Sequence, residues 1–252
     1  MKKNLFLYVL MPLFLVGCAA SPEKGMPDEP AESLYKKAHK LIEKKEWTQS
    51  AKYFDEVERQ HPYSIWASRG QVMQAYALYQ KGAYQDAILV LDRFLQMHPG
   101  SSNAPYALYL KGLCYFNQIS DVGREQKISE DAQEVFLSVV SRYPKSVYVK
   151  DSLFRLSVIQ DQLAGKEMEV GRYYERQGDY LPAMSRFQAV IDQYPNSLQI
   201  PEALYRLCSC YVALGMKKNA NGIRTELDKK YADSEWTKLS KELVNQAKEQ
   251  KK

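Results

Sequence analysis

A four-residue pattern recurs five times along the chain and constrains its fold more than any other feature. Each copy has a histidine or tyrosine, a proline, a variable residue and a serine, although alanine replaces proline in the last copy. The copies occupy residues 61–64, 98–101, 143–146, 194–197 and 231–234. Their proline positions are 37, 45, 51 and again 37 residues apart. Since proline ends one helix and serine can cap the next, this period with insertions predicts a helical solenoid.

The residues upstream of each copy predict how the helices pack. Positions twelve, eight and five before the proline position share one helix face, and they are small, large and large. The small residues are Ser50, Ala87, Ala132, Ala183 and Ala220. The large positions hold Phe54, Leu91, Phe136 and Phe187, with Arg224 in the last copy, and then Val57, Phe94, Val139, Val190 and Leu227. A preceding helix carries its own small residues, at Ala38, Ala75, Gly112, Gly171 and Cys208. Two small residues would let antiparallel helices approach closely.

This pattern resembles the tetratricopeptide repeat over about 200 of the 252 residues. The resemblance implies an all-α superhelix of about five helix-turn-helix repeats, which must stack because no single repeat buries its own apolar face. The fourth repeat is atypical, since 27 residues separate Pro144 from Gly171 where the other repeats have 13. The extra residues are apolar and helical in character. Two interpretations stay open, a first helix of about 28 residues or a break near Gly165.

The amino terminus predicts a lipid-anchored, exported protein. Lys2 and Lys3 precede an apolar stretch at residues 5–16 that is too short to be a permanent membrane span. The stretch ends at Cys18 in a sequence that resembles a bacterial lipobox, so the cysteine thiol would carry a lipid. An ordinary signal peptide with a chance cysteine is the alternative. Because Ala19 rather than aspartate follows the cysteine, analogy with lipoprotein sorting predicts the outer membrane.

The predicted organisation has four parts. Residues 1–17 would form the signal peptide, and residues 18–31, which are rich in proline, glycine and charge, a lipidated flexible tether. Residues 32–147 would form an N-terminal half with repeats one to three, and residues 148–252 a C-terminal half with repeats four and five and a final helix.

Composition argues against catalysis, metal binding and nucleic-acid binding. The net charge of +5 would fall to +3 without Lys2 and Lys3, and acidic and basic residues alternate along the chain. No phosphate-binding loop, catalytic constellation or metal-ligand spacing is present, so neither a cofactor nor a catalytic residue is expected. A cell-wall hydrolase carried on a repeat scaffold is the enzymatic alternative.

The remaining cysteines, Cys114, Cys208 and Cys210, are odd in number. Cys208 and Cys210 would point about 200° apart on a helix, which suits neither a mutual disulfide nor a shared metal. Buried thiols are therefore expected.

The repeat predicts a binding groove along the first helices of repeats one to three. Its inward positions lie one and four residues after each small residue, and three and six before it. The candidate groove residues are Tyr35, His39, Arg69, Tyr76, Tyr79, Tyr106, Tyr109 and Phe116, with Ile42, Val72 and Leu113 between them. Aromatic rings with one arginine suit an extended peptide that ends in an aromatic residue and a carboxylate. The alternative is that individual rings pack against the adjacent helix.

The chain as a whole resembles the BamD family (YfiO, ComL) of outer-membrane assembly lipoproteins, in an alphaproteobacterial-like branch. The resemblance covers essentially the whole mature chain and departs from the family mainly at Ala232, which replaces the last proline. The stretches that carry it are Cys18, the first pair through Trp47 and residues 61–64, residues 112–115, residues 164–174 and residues 178–180.

The resemblance implies partners that periodicity alone does not predict. The C-terminal half is expected to dock on the periplasmic POTRA domains of BamA, with Arg186 at a family contact position. The N-terminal half is expected to receive the C-terminal signal of unfolded outer membrane β-barrel proteins, on the periplasmic face of the outer membrane. BamC and BamE are further candidate partners.

Two other kinds of repeat protein are alternatives. A cell-envelope coordinator of the CpoB type normally lacks a lipid, so Cys18 argues against it. A secretion or pilus pilotin keeps the lipid and the repeats, but its repeats are closer to 34 residues, whereas the period here is 37.

Overall fold

A computed structural model describes residues 26–120 and 126–249, with side chains to residue 246. In this part of the chain the structure has eleven α-helices and no β-strand. The helices are α1 Ala31–Glu43, α2 Trp47–Gln60, α3 Ile65–Lys81, α4 Tyr84–Met97, α5 Ala104–Phe116, α6 Lys127–Arg142, α7 Val149–Gln177, α8 Tyr180–Gln193, α9 Ile200–Ala213, α10 Lys217–Lys230 and α11 Glu235–Glu249. The predicted signal peptide, Cys18 and residues 19–25 lie outside the described residues.

The helices form five antiparallel pairs that follow one another in chain order. Every helix packs on the next one along the chain, and α11 closes the end by packing on both α9 and α10. The first helices α1, α3 and α5 also contact one another in sequence, which places them side by side in one layer. The predicted all-α tetratricopeptide fold of five repeats is therefore confirmed.

The predicted stripe of small and large residues is buried in the second helix of each pair. Its small and large residues are at most 1% exposed in all five repeats, apart from Arg224 in the last. The close approach is visible where two small residues face each other, because the hydroxyl of Ser50 donates to the carbonyl oxygen of Ala38 at 2.9 Å. In the fifth repeat, the thiol of Cys208 contacts the carbonyl oxygen of Ala220 at 3.4 Å. Side chains at the small positions thus reach the backbone of the paired helix.

The serine of each four-residue pattern caps the chain where it turns into the next helix. In all five copies the serine hydroxyl accepts the backbone N–H of the residue two positions later, at 3.1–3.3 Å. Ser64 lies immediately before α3, and Ser234 immediately before α11. In the other three copies a short turn separates the serine from its helix. The expected capping is confirmed for Ser64, which is the N-cap of α3, whereas the N-cap positions of α5, α7 and α9 are Asn103, Tyr148 and Gln199, without a side-chain cap.

The atypical fourth repeat begins with a single continuous helix. Helix α7 runs for 29 residues without a break at Gly165, so it is about 43 Å long. Its first part, through Leu156, Ile159 and Leu163, completes the core of repeat three around Phe136. Its second part packs with α8 and α9 in another cluster. Helix α7 therefore contributes to both sides of the predicted division at residue 147.

The three described cysteines are free and buried, as predicted. Burial raises the pKa of Cys114 and Cys210 to about 12 and that of Cys208 to about 11. These thiols are therefore protonated at neutral pH. Within residues 26–120 and 126–249, no helix is both long and apolar enough to cross a bilayer.

Candidate binding surfaces

The N-terminal end of the predicted groove is an aromatic stack that presents an arginine. Tyr35 of α1 packs edge-on against Phe54 at 5.3 Å and against Trp66 of α3 at 4.9 Å, measured between ring centroids. The guanidinium of Arg69 lies 5.6 Å from the Trp66 ring, on the same helix face. Burial raises the pKa of Tyr35, against the opposing effect of the Arg69 charge. The rings thus support an exposed cation.

Arg69 has no carboxylate partner among the described residues. Arginines on the adjacent helices α2 and α4 do have one, since Arg59 pairs with Glu56 and Arg93 lies 3.6 Å from Glu58. An exposed arginine that is stacked but not neutralised keeps its donors available for an incoming carboxylate.

His39 lies at the margin of the stack. Its side chain is half exposed, and Nδ1 lies 3.5 Å from a carboxylate oxygen of Glu43 on the same helix. Its ring is 6.5 Å from that of Tyr35, so it adjoins the predicted groove without packing into it.

The middle of the groove is formed by half-buried tyrosines of α3. Tyr76 packs edge-on against Trp47 at 6.3 Å, and Tyr79 lies 5.7 Å from Tyr84. The hydroxyl of Tyr79 accepts a hydrogen bond from the side-chain amide of Asn117 at 2.9 Å. These contacts fix one side of each ring and leave part of the ring exposed.

Two tyrosines of α5 continue the row toward α7. Tyr109 stacks on Tyr148 with ring centroids 4.8 Å apart and an interplanar angle of 18°. Its hydroxyl donates to Asp151 at 2.6 Å. Burial first, and then the Asp151 hydrogen bond, raise the pKa of Tyr109 to about 12. Burial and the nearby phenols of Tyr76 and Tyr148, among others, also raise the pKa of Tyr106. The predicted rings of α3 and α5 are therefore brought together in one cluster.

The far end of the row holds a second arginine, which is neutralised. The guanidinium of Arg155 lies 4.8 Å from the centroid of the Phe116 ring and donates to Asp151 at 2.6 Å. Asp151 accepts from both Arg155 and Tyr109, so its charge is shared between them. The two ends of the groove thus differ, because Arg69 has no carboxylate partner within the described chain whereas Arg155 is paired with Asp151.

Several residues that contact the predicted groove were not predicted from the sequence. Trp47, Trp66, Tyr148, Asp151 and Arg155 all contact predicted groove residues. The last three share one helical face through spacings of three and four. That spacing was a usable signal, but it falls at the start of the atypical fourth repeat, where no register from the small residue was available.

In the C-terminal half, ion pairs between charged side chains connect the first helices α7 and α9. Arg206 of α9 donates to Glu175 of α7 and to Glu202, each at 2.6 Å. Arg172 of α7 also donates to Glu202, at 3.0 Å. These half-buried pairs bind α7 to α9. Rings recur between α9 and α11, where Tyr205 lies 5.3 Å from Trp236 in a pair equivalent to Tyr35 and Trp66.

Arg186, the predicted contact for BamA, lies on α8 of the C-terminal half. Its side chain is 46% exposed, and it pairs with Glu167 of α7 at 3.0 Å. Leu181, five residues earlier on α8, and Tyr173 of α7 are also exposed. The position is accessible to a protein partner, and its role stays a prediction.

The described residues contain no group of three or more histidine, cysteine or acidic residues that could hold a metal ion. The groove offers rings, hydroxyls and a guanidinium, which suit binding of a peptide.

Sequence comparisons with known proteins agree on one family. The model of the YfiO family, described as an outer membrane lipoprotein, matches residues 27–227. A Caulobacter vibrioides protein named outer membrane protein assembly factor BamD is 38% identical over 240 residues, covering 94% of this chain and 79% of the relative. The proteins of the same name from Rickettsia prowazekii and Neisseria meningitidis are 32% and 31% identical, covering 97% and 94% of both chains. Among solved structures, the TPR2AB-domain complex of yeast Sti1 gives a TM-score of 0.46 at 13% identity, covering 87% of this chain and 84% of that one.

Proposed function

The chain belongs to the YfiO family of outer membrane lipoproteins, and from this premise we propose that it is a lipid-anchored scaffold with two separate binding surfaces. Its relatives are outer membrane protein assembly factors named BamD, and this chain acts as such a factor. A scaffold of this kind binds proteins and holds them in place, and it performs no catalysis.

The client surface is the aromatic groove of repeats one to three. The observation that carries this assignment is the row of half-buried rings that ends at the unpaired guanidinium of Arg69. An extended segment from the end of an unfolded β-barrel protein brings an aromatic side chain and a terminal carboxylate. The carboxylate pairs with Arg69, and the aromatic side chain packs among Tyr35, Tyr76 and Tyr106.

The second surface is the C-terminal half, which docks on the periplasmic POTRA domains of BamA. Arg186 lies there on an exposed helix face. In this assignment an acidic group of BamA competes with Glu167 for the guanidinium. BamC and BamE are candidate additional partners within the same assembly.

The anchor is a covalent lipid on Cys18, and no other cofactor is required. It places the protein on the periplasmic face of the outer membrane, where unfolded barrel proteins arrive. The repeats then supply a rigid frame between client and BamA.

The test of the client surface uses a peptide from the C-terminus of a barrel protein, with either a free carboxylate or an amide end. Hydrogen bonds to a charged group contribute about 1.5–3 kcal/mol, so we expect the free acid to bind about 10-fold or more tightly than the amide. Arg69→Ala should abolish this preference, because its guanidinium is the receptor for the carboxylate. Binding is measured by calorimetric titration.

The chain offers a matched control in Arg142. That arginine is exposed and also lies 5.6 Å from a ring, that of Tyr143, at the end of α6, whereas the predicted groove residues lie on α1, α3 and α5. Arg142→Ala should keep the preference for the free acid. Equal preferences in wild type and Arg69→Ala would exclude Arg69 as the carboxylate receptor.

A further inference from the structure

The chain enters the repeat body along the C-terminal end of α2. The backbone N–H of Glu29 donates to the side-chain oxygen of Gln60 at 3.0 Å, and the Gln60 amide donates to the carbonyl oxygen of Pro27 at 3.2 Å. Nε2 of His61 lies 2.6 Å from the carbonyl oxygen of Glu29. The Glu29 carboxylate accepts from Lys37 at 2.6 Å. These contacts hold residues 27–29 beside the turn between α2 and α3.

That turn exposes two apolar side chains. Tyr63 is fully exposed, and Ile65 is 68% exposed. Tyr63 has no ring contact or hydrogen bond within the described part of the chain. In the four other copies of the pattern, the position of Tyr63 holds Gly100, Lys145, Asn196 and Asp233. The turn therefore forms without an aromatic residue, and its geometry does not explain Tyr63.

The length of the tether limits where this turn can lie. Nine residue steps separate Cys18 from Pro27, and a chain of that length spans at most about 32 Å. Since residues 27–29 are held beside the α2–α3 turn, a lipid on Cys18 keeps the turn close to the membrane surface.

We propose that the α2–α3 turn, residues 62–65, is a membrane-contact edge where Tyr63 and Ile65 rest in the lipid headgroup region. The inference rests on the lipid anchor proposed at Cys18. Tyrosine is enriched at membrane–water interfaces because its ring is apolar and its hydroxyl is polar. Two side chains bind a bilayer weakly by themselves. A short tether raises their effective concentration at the surface to the millimolar range, so a weak contact becomes populated.

This contact orients the client groove. Helix α3 begins at Ile65, and Arg69 lies about 6 Å further along it. The carboxylate end of the groove therefore faces the membrane, and the Arg155 end extends away from it.

The test uses the full-length, acylated protein in vesicles of phosphatidylethanolamine and phosphatidylglycerol. A photoreactive benzoylphenylalanine replaces Tyr63 in one sample and Lys145 in another. These two residues occupy the same position in equivalent turns, so the probe's own affinity for lipid is matched. We expect severalfold more lipid adduct, measured by mass spectrometry after irradiation, from position 63 than from position 145. Gln60→Ala with His61→Ala, which removes the contacts of residues 27–29 with the end of α2 and the turn, should lower the adduct at position 63.

Equal adduct formation at positions 63 and 145 in acylated, vesicle-bound protein would overturn the membrane-contact edge and leave the anchor standing. A mass that lacks acyl chains would overturn the anchor itself, and the inference with it. The intact mass is measured on the same samples, which separates the two failures.

Discussion

At the scale of single residues, the two glycines at small positions show how closely the paired helices approach. A methyl group added to Gly171 would lie 2.5 Å from the Phe187 ring, and one added to Gly112 would lie 2.7 Å from the Phe136 ring. Both rings are completely buried. The phenylalanine of the second helix therefore fills the volume that a side chain on the first helix would occupy.

Gly171→Ala should destabilise the protein by about 1–3 kcal/mol, because the new methyl group forces α7 and α8 apart. Gly222→Ala provides a control of opposite sign. Gly222 lies on an exposed face of α10 with no atom within 4 Å of the added methyl, so alanine should stabilise that helix by about 0.5–1 kcal/mol. Denaturant unfolding measures both. A neutral Gly171→Ala would show that the paired helices do not touch at this position.

At the scale of elements, the long helix α7 is the feature that sequence reasoning left undecided. Its apolar residues fit one helix or two equally well, since both bury the same face. In the structure, α7 is one helix because it packs against two successive cores. Leu163 belongs to the core of repeat three and Ala164 to the core of repeats four and five, and the helix passes between these cores without interruption. Continuity here depends on neighbours that are distant in sequence, so local pattern could not decide it.

Gly165→Pro should cost about 3 kcal/mol or more, because proline removes a backbone hydrogen bond inside a continuous helix and clashes with the preceding turn. Lys150→Pro is the matched control. Lys150 is the second residue of α7, and prolines already occupy that position in α5 and α9, as Pro105 and Pro201. It should be tolerated. Thermal unfolding compares the two variants, and an unchanged melting temperature for Gly165→Pro would indicate a break at that residue.

At the scale of the whole molecule, the repeats and their buried residues could be predicted because every repeat packs its two helices through small and large residues at the same spacing. The groove was predictable only as a set of rings on α1, α3 and α5. Its partners Tyr148, Asp151 and Arg155 come from the start of the atypical fourth repeat, where only their spacing of three and four indicated a shared face. Likewise, a carboxylate lies beside the guanidinium of Arg155 and none of the described carboxylates lies beside that of Arg69, and this difference depends on tertiary contacts.

The same division appears in the chemistry of the two halves. Rings line the first helices of the N-terminal half, whereas Arg206, Glu175 and Glu202 join α7 to α9, and a ring pair recurs between Tyr205 of α9 and Trp236 of α11. Helix α7 connects the two as one rigid element. The central claim is that these halves bind different partners on one frame.

The most direct test titrates variants of the groove and of the C-terminal surface against two ligands, a barrel C-terminal peptide and the periplasmic domains of BamA. Arg69→Ala with Tyr76→Ala alters the groove and leaves Tyr109, which holds Asp151, in place. Arg186→Glu reverses the charge on the C-terminal surface, and a third variant adds Glu167→Arg to restore the internal ion pair. Each variant must first melt like wild type.

We expect the groove variant to lose about 10-fold or more in affinity for the peptide and to bind BamA normally. Arg186→Glu should do the reverse, since a like charge at an interface costs a few kcal/mol, and Glu167→Arg should not rescue it. Equal losses for both ligands in both variants would contradict two separate surfaces, and rescue by Glu167→Arg would contradict a direct contact by Arg186.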